Sequence, residues 1–113
     1  MKRFVLAASI ALMGLTLSGA AANAQYSSAV EQWRPYVEDA CGDQGCVDTI
    51  MWLIFCESRG DPTAVHPNPY GGTDVGLLQI NDATWGSVAY ADGVTQIYWT
   101  AAHLGSVWWA CGG

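Results

Sequence analysis

Four cysteines constrain this chain more than any other feature. Cys41, Cys46, Cys56 and Cys111 are the whole complement in 113 residues. An even count in a short exported chain reads as two disulfides. The export signal is residues 1–24: Lys2 and Arg3, an apolar run from Phe4 to Leu17, and Ala22-Asn23-Ala24 as a small-x-small cleavage site. The run is too short and too weakly flanked for a membrane anchor. Ala20 stands where a bacterial lipid anchor would need a cysteine. Cleavage before Gln25 leaves residues 25–113, one small domain with a limited core that staples would secure.

Geometry narrows the pairing. The stretch "TIMWLIFCESRG" predicts a buried helix over about residues 47–58. Within such a helix Cys46 and Cys56 stand about 15 Å apart, at ~1.5 Å of rise per residue. A disulfide needs Cα atoms within roughly 7 Å, so these two cannot join each other. Cys41–Cys46 with Cys56–Cys111 is the favoured arrangement, Gly42 and Gly45 allowing the small loop. Cys41–Cys56 with Cys46–Cys111 stays open. A metal site is not expected: the cysteine spacings do not suit zinc, and His66 and His103 form no pair. No cofactor is implied.

Without Lys2 and Arg3, ten acidic residues face only Arg34 and Arg59, a formal charge of −8. Such a chain has no footprint for nucleic acid or for an anionic membrane. After signal cleavage nothing in it predicts stable membrane insertion, and it is expected to act as a monomer.

The organisation is mostly helical with a small β element. Ser28-x-x-Glu31 has the form of a capping box opening a helix through about Ala40, with Pro35 tolerable only in the first turns. In the second helix Val47, Ile50, Leu53, Ile54 and Glu57 share one face, and Gly60 and Pro62 mark its exit. Residues 61–72, "DPTAVHPNPYGG", are turn-rich. "TDVGLLQIN" suits an extended segment or hairpin. "DATWGSVA" suits one or two helical turns entered from Asn81 or Asp82. A last helix runs from Val94 through Ile97, Ala101 and Leu104 toward Trp108, broken near Gly105. Trp33 and Trp52 are expected in the core, whereas Trp85 and the Trp108-Trp109 pair suit either core or sugar faces. His66 and His103 are read as structural, and Arg59-Gly60-Asp61 as a helix exit rather than an adhesion tripeptide.

Glu57 is the anomaly. Burial on the apolar face disfavours its charged form, and the negative pole of its own helix opposes an anion as well. Both effects keep a proton on the carboxyl near neutral pH, as a general acid requires.

"ESRGDPTAV", then "GGTDVGLLQIN", then "TW" resemble the lysozyme-like superfamily, in particular small secreted lytic transglycosylases and lysozymes acting on peptidoglycan. The opening "VEQWRPYVEDAC" and closing "GSVWWAC" are similar to its small secreted members. The resemblance implies an α+β, mostly helical lysozyme-like domain, disulfide-stapled, with a small β-hairpin beside the cleft. It implies cleavage of the β-1,4 bond between N-acetylmuramic acid and N-acetylglucosamine, with Glu57 as general acid and base. Ser58, Gly76, Gln79, Asn81, Trp85 and Trp109 become candidate substrate-binding residues, and peptidoglycan strands the partner. Asp74 follows Glu57 at the interval found in animal-type lysozymes, so a two-carboxylate hydrolase is one outcome. Export, brevity and acidity favour the other, a lytic transglycosylase leaving 1,6-anhydromuramic acid ends. A non-catalytic wall-binding module is a third. Ala89-Tyr90-Ala91 departs from the family's late alanine-tyrosine-asparagine motif, so no residue takes the tyrosine role.

Overall fold

The computed structural model describes residues 26–107 and 109–111; residues 1–24, where the export signal is expected, and Trp108 lie outside them. Three helices open the domain: α1 (Ser28–Glu31), α2 (Arg34–Ala40) and α3 (Gln44–Ser58). A sheet of β1 (Val65–Pro67), β2 (Thr73–Val75) and β3 (Ile80–Asn81) follows, then α4 (Asp82–Trp85), a 3-10 segment (Gly86–Tyr90) and α5 (Gly93–His103). This is the α+β arrangement of the lysozyme-like fold. Among the described residues no helix is long and apolar enough to cross a membrane.

The expected first helix is two. Pro35 has no N–H to give the carbonyl of residue 31, so the chain breaks at Gln32–Trp33 and Pro35 settles in the first turn of α2. The capping box does not form. Ser27, not Ser28, is the N-cap of α1 and makes no side-chain cap bond. Glu31 instead grips Arg34 with two contacts of 2.7 and 2.9 Å, a charge-assisted fork stronger than a neutral cap.

α3 begins three residues earlier than the sequence suggested, because the Asp43 carboxylate accepts the Cys46 N–H at 2.8 Å and caps it. Val47, Ile50, Leu53 and Ile54 are buried as expected, with Met51 beside them. They meet Val37 of α2, Ile97 of α5, and Leu77, Leu78 and Ile80 around the sheet. Trp52 is a correction: it is 44% exposed on the outer face, against Phe55. "IMWLIF" is apolar all round, so periodicity could not say which side faces water. Trp33 packs against the core and its indole N–H donates to the Gly60 carbonyl at 3.0 Å.

α3 ends with Arg59 in the left-handed region (φ 56°) and Gly60 at φ 88°. A Cβ on Gly60 would stand 2.2 Å from the Ala29 carbonyl oxygen, so only glycine lets the helix exit pass this close to α1. The disulfides are Cys41–Cys46 and Cys56–Cys111, with Cα separations of 5.5 and 5.9 Å. The first ties the end of α2 to the first turn of α3; the second ties the C-terminal segment to the end of α3.

The sheet has three strands where a hairpin was expected. β1, drawn from the turn-rich stretch, pairs antiparallel with β2, which pairs with β3. Asp74 lies opposite His66 on one side and Asn81 on the other.

Candidate active site

The last turn of α3 carries Glu57 into a cavity of about 90 Å³. The sheet supplies Asp74, Ile80 and Asn81 to its lining, the turn between β2 and β3 Gln79, the β1–β2 loop Asn68, and α4 Trp85. Val107, Trp109 and Ala110, beyond α5, complete the lining. A second hollow of about 310 Å³ shares Asn68, Asn81, Trp85 and Val107 with the first. The two therefore form one groove, with the almost fully exposed Tyr70 at its outer end.

Glu57 is half-buried. Burial pushes its carboxyl above the usual range, and the nearby Asp74 charge pushes the same way. The Cys111 N–H, donating to Oε2 at 3.3 Å, pulls in the opposite direction but does not overcome burial. That bond occupies Oε2 and leaves Oε1 facing the cavity as the oxygen able to present a proton.

Asp74 is held by two asparagines. Asn68 Nδ2 lies 3.2 and 3.1 Å from its two oxygens, and Asn81 Nδ2 lies 2.9 Å from Oδ1. Both amides are oriented from behind. The Asn68 oxygen accepts the Tyr70 N–H, and the Asn81 oxygen caps α4 through the Thr84 N–H. Donors alone therefore face Asp74, an arrangement matched to an acceptor-only carboxylate.

Gln79 occupies the left-handed region at φ 51°, an uncommon position for glutamine. Its side chain stabilises that turn: Nε2 donates to the Ala64 and Gly76 carbonyls at 3.0 and 2.9 Å. Its oxygen must then accept from His66 Nδ1 at 2.8 Å, which fixes that nitrogen as the protonated one. Trp109 is 6% exposed and its indole N–H donates to the Leu78 carbonyl at 3.0 Å. Trp85 is braced edge-on by Trp99 and His103, which stack on each other at 4.1 Å.

The structure thus brings together Glu57, Asp74, Gln79, Asn81, Trp85 and Trp109, and leaves two candidates outside. Ser58 is buried in the helix exit, donating to the Ile54 carbonyl and accepting the Gly60 N–H. It holds no sugar-facing position. Ser58→Ala is expected to lower stability by roughly 1–2 kcal/mol through the stranded Gly60 N–H. Glycan release, measured at a temperature where the variant is folded, should stay within about twofold of wild type. Gly76, at φ 86°, makes room for Gln96 rather than for substrate: a Cβ there would lie 2.6 Å from the Gln96 amide.

Sequence reasoning missed Asn68, Val107, Ala110 and the inner support, Gln96. Nothing marks Asn68 among the prolines of its loop. Gln96 did leave a signal, a polar residue on the same helical face as Ile97 and Thr100. Tyr90 donates to Asp82 and Tyr98 to Asp39, so neither turns into the cleft. Among the described residues no group of His, Cys, Asp or Glu is arranged to hold a metal ion.

A buried helix that delivers a desolvated acid to a groove, with a small sheet carrying a second carboxylate beside it, is the lysozyme-like arrangement of peptidoglycan-cleaving domains. Residues 37–101 match the family described as the transglycosylase SLT domain, and the chain belongs to that family. No curated protein and no solved structure matches it.

Proposed function

We propose that this chain cleaves the β-1,4 bond between N-acetylmuramic acid and N-acetylglucosamine, as a lytic transglycosylase, after export directed by residues 1–24. The observation that carries the reading is Glu57, a carboxyl whose pKa burial raises, opening into a groove that also holds Asp74. Glu57 gives its Oε1 proton to the glycosidic oxygen as the bond to the muramic acid C1 breaks. Positive charge builds at C1, and the Asp74 carboxylate is of the right sign to stabilise it. The substrate's N-acetyl group assists, and the muramic acid 6-hydroxyl then attacks C1. Its proton passes to Glu57, now the base, which restores the acid and leaves a 1,6-anhydro end. No water is consumed. Trp85 and Asn81 line the groove as sugar contacts, with Gln79 and Trp109 shaping its wall behind them.

Hydrolysis is the second reading, favoured by the way Asn68 and Asn81 fix Asp74 in place. In it Asp74 stabilises or attacks C1, and water completes the cleavage. Mass spectrometry of fragments released from purified peptidoglycan separates the two. Anhydro ends, one water lighter, are expected; reducing ends would replace the transglycosylase with a hydrolase. Asp74→Asn is expected to slow release about tenfold, whereas a hydrolase dependent on Asp74 would lose roughly 10²–10³-fold.

A further inference from the structure

The segment after α5 covers Glu57. Val107, Trp109 and Ala110 line the cleft, and Cys111 presents its N–H to the carboxyl. The described residues of 104–111 form neither helix nor strand, so no ladder of backbone bonds seats them. Their end is tied by the disulfide to Cys56, the residue immediately before Glu57. Behind it the Trp52 indole N–H reaches the Cys111 carbonyl at 3.4 Å. One residue therefore meets the acid, the covalent tie and an exposed tryptophan.

We propose that the Cys56–Cys111 disulfide, backed by Trp52, is a positioning element for Glu57: it seats Val107, Trp109 and Ala110 as the wall that shields the carboxyl and aims its proton. The proposal rests on Glu57 being the general acid. It assigns Trp52 a task that a half-exposed tryptophan on the far side of α3 otherwise lacks. It also makes the working state of the acid depend on oxidation. A dithiol that breaks the Cys56–Cys111 bond supplies two electrons and two protons, leaves two thiols, and is itself oxidised to a disulfide. The segment is then held by the Trp109 indole and by contacts that open locally.

The sign of the effect follows from what the segment gives Glu57. It contributes part of the burial that raises the pKa, and the one N–H bond that lowers it; over the whole site burial is the larger influence. Losing both admits water and lowers the pKa. Among the described residues the other carboxylate lining the cleft is Asp74, on β2, and its asparagine partners do not belong to the segment; the Tyr70 phenol stands at the outer end of the groove. His103 ends α5 stacked on Trp99, His66 bonds Gln79, and Arg59 lies over the Phe55 ring. None of these contacts includes a residue of the segment.

The test compares C56S/C111S, C41S/C46S and W52F with wild type, full chain, by the pH dependence of glycan release and by far-ultraviolet circular dichroism. C56S/C111S should keep the helical signal, lose roughly 10- to 100-fold in kcat through misplacement of the acid, and show an alkaline limb moved to lower pH. Dithiothreitol should reproduce this in wild type and in C41S/C46S, and reoxidation should reverse it. C41S/C46S, whose bond lies at the opposite end of α3, should otherwise follow wild type. An unchanged rate and limb in folded C56S/C111S overturns the proposal. Should that pair fail to fold, W52F decides: with both disulfides intact its limb should move the same way, and an unmoved limb overturns the proposal. Oxidised E57Q as active as wild type would instead sink the general-acid assignment, and the positioning role with it.

Discussion

Glu57→Gln is expected to abolish glycan release while leaving glycan binding intact. Glutamine keeps the size of the side chain and an oxygen for the Cys111 N–H, but has no proton to give. General acid catalysis is worth roughly 10²–10⁴-fold, and that is the loss expected in kcat. Binding should hold, because Gln79, Asn81, Trp85 and Trp109 stay where the fold puts them. Equal clearing of purified peptidoglycan by variant and wild type is incompatible with the assignment.

The same substitution carries a signature in stability. The folded-state pKa of Glu57 is raised, so the folded protein holds this proton more tightly than the unfolded chain does. Its contribution to stability is fully present below the ordinary carboxylate pKa and is lost as pH rises through the elevated folded value. Wild type therefore bears a charged, half-buried carboxylate at high pH that Glu57→Gln lacks. Denaturant titrations should find the variant at least as stable as wild type at alkaline pH, with the difference disappearing in acid. A variant less stable at high pH than at low pH, relative to wild type, contradicts a raised Glu57.

That acid was legible because two one-dimensional rules converged on it: helical spacing put Glu57 on the buried face, and the glycine–proline exit put it in the last turn. The disulfides were legible because helix rise forbids one pairing, though it left two, and closure of the small Cys41–Cys46 loop favoured the one observed. What failed was whatever depended on direction in space. Ser58 is adjacent to Glu57, yet one residue along a helix is a turn of about 100°, and its hydroxyl lies in the helix exit instead of the groove. Trp52 was misplaced because an all-apolar run has no polar side to read. β1 was unreadable because all three of its residues are exposed and its pairing is with a strand met later. The helix break at Trp33 was half-legible, since Pro35 announced a conflict without saying where the chain would give way.

Gln96 is the residue on which the site's inner wall depends. It is fully buried on α5. Its Oε1 accepts the Leu78 N–H at 3.0 Å, while Nε2 lies 3.1, 3.3 and 2.9 Å from the carbonyls of Val75, Val88 and Ala89. One amide thus satisfies the end of β2, the turn leading to Gln79, and the 3-10 segment, in the space that Gly76 leaves by lacking a Cβ. Gln96→Leu keeps the volume and removes every partner. Each buried group left unpaired costs about 1–3 kcal/mol, so a loss on the order of 3–5 kcal/mol is expected, against a total of about 5–15 for a domain. At roughly 4–8 °C per kcal/mol for a domain of this size, Tm should fall by some 15–30 °C in thermal unfolding with disulfides intact. Even at temperatures where the variant is folded, kcat should drop, because the turn that sets Gln79 at φ 51° loses its inner anchor. Gln96→Glu should rescue little, since a carboxylate cannot donate to the Val75 and Ala89 carbonyls. A Gln96→Leu protein melting within a few degrees of wild type would mean that the sheet and the 3-10 segment hold the Gln79 turn without this amide.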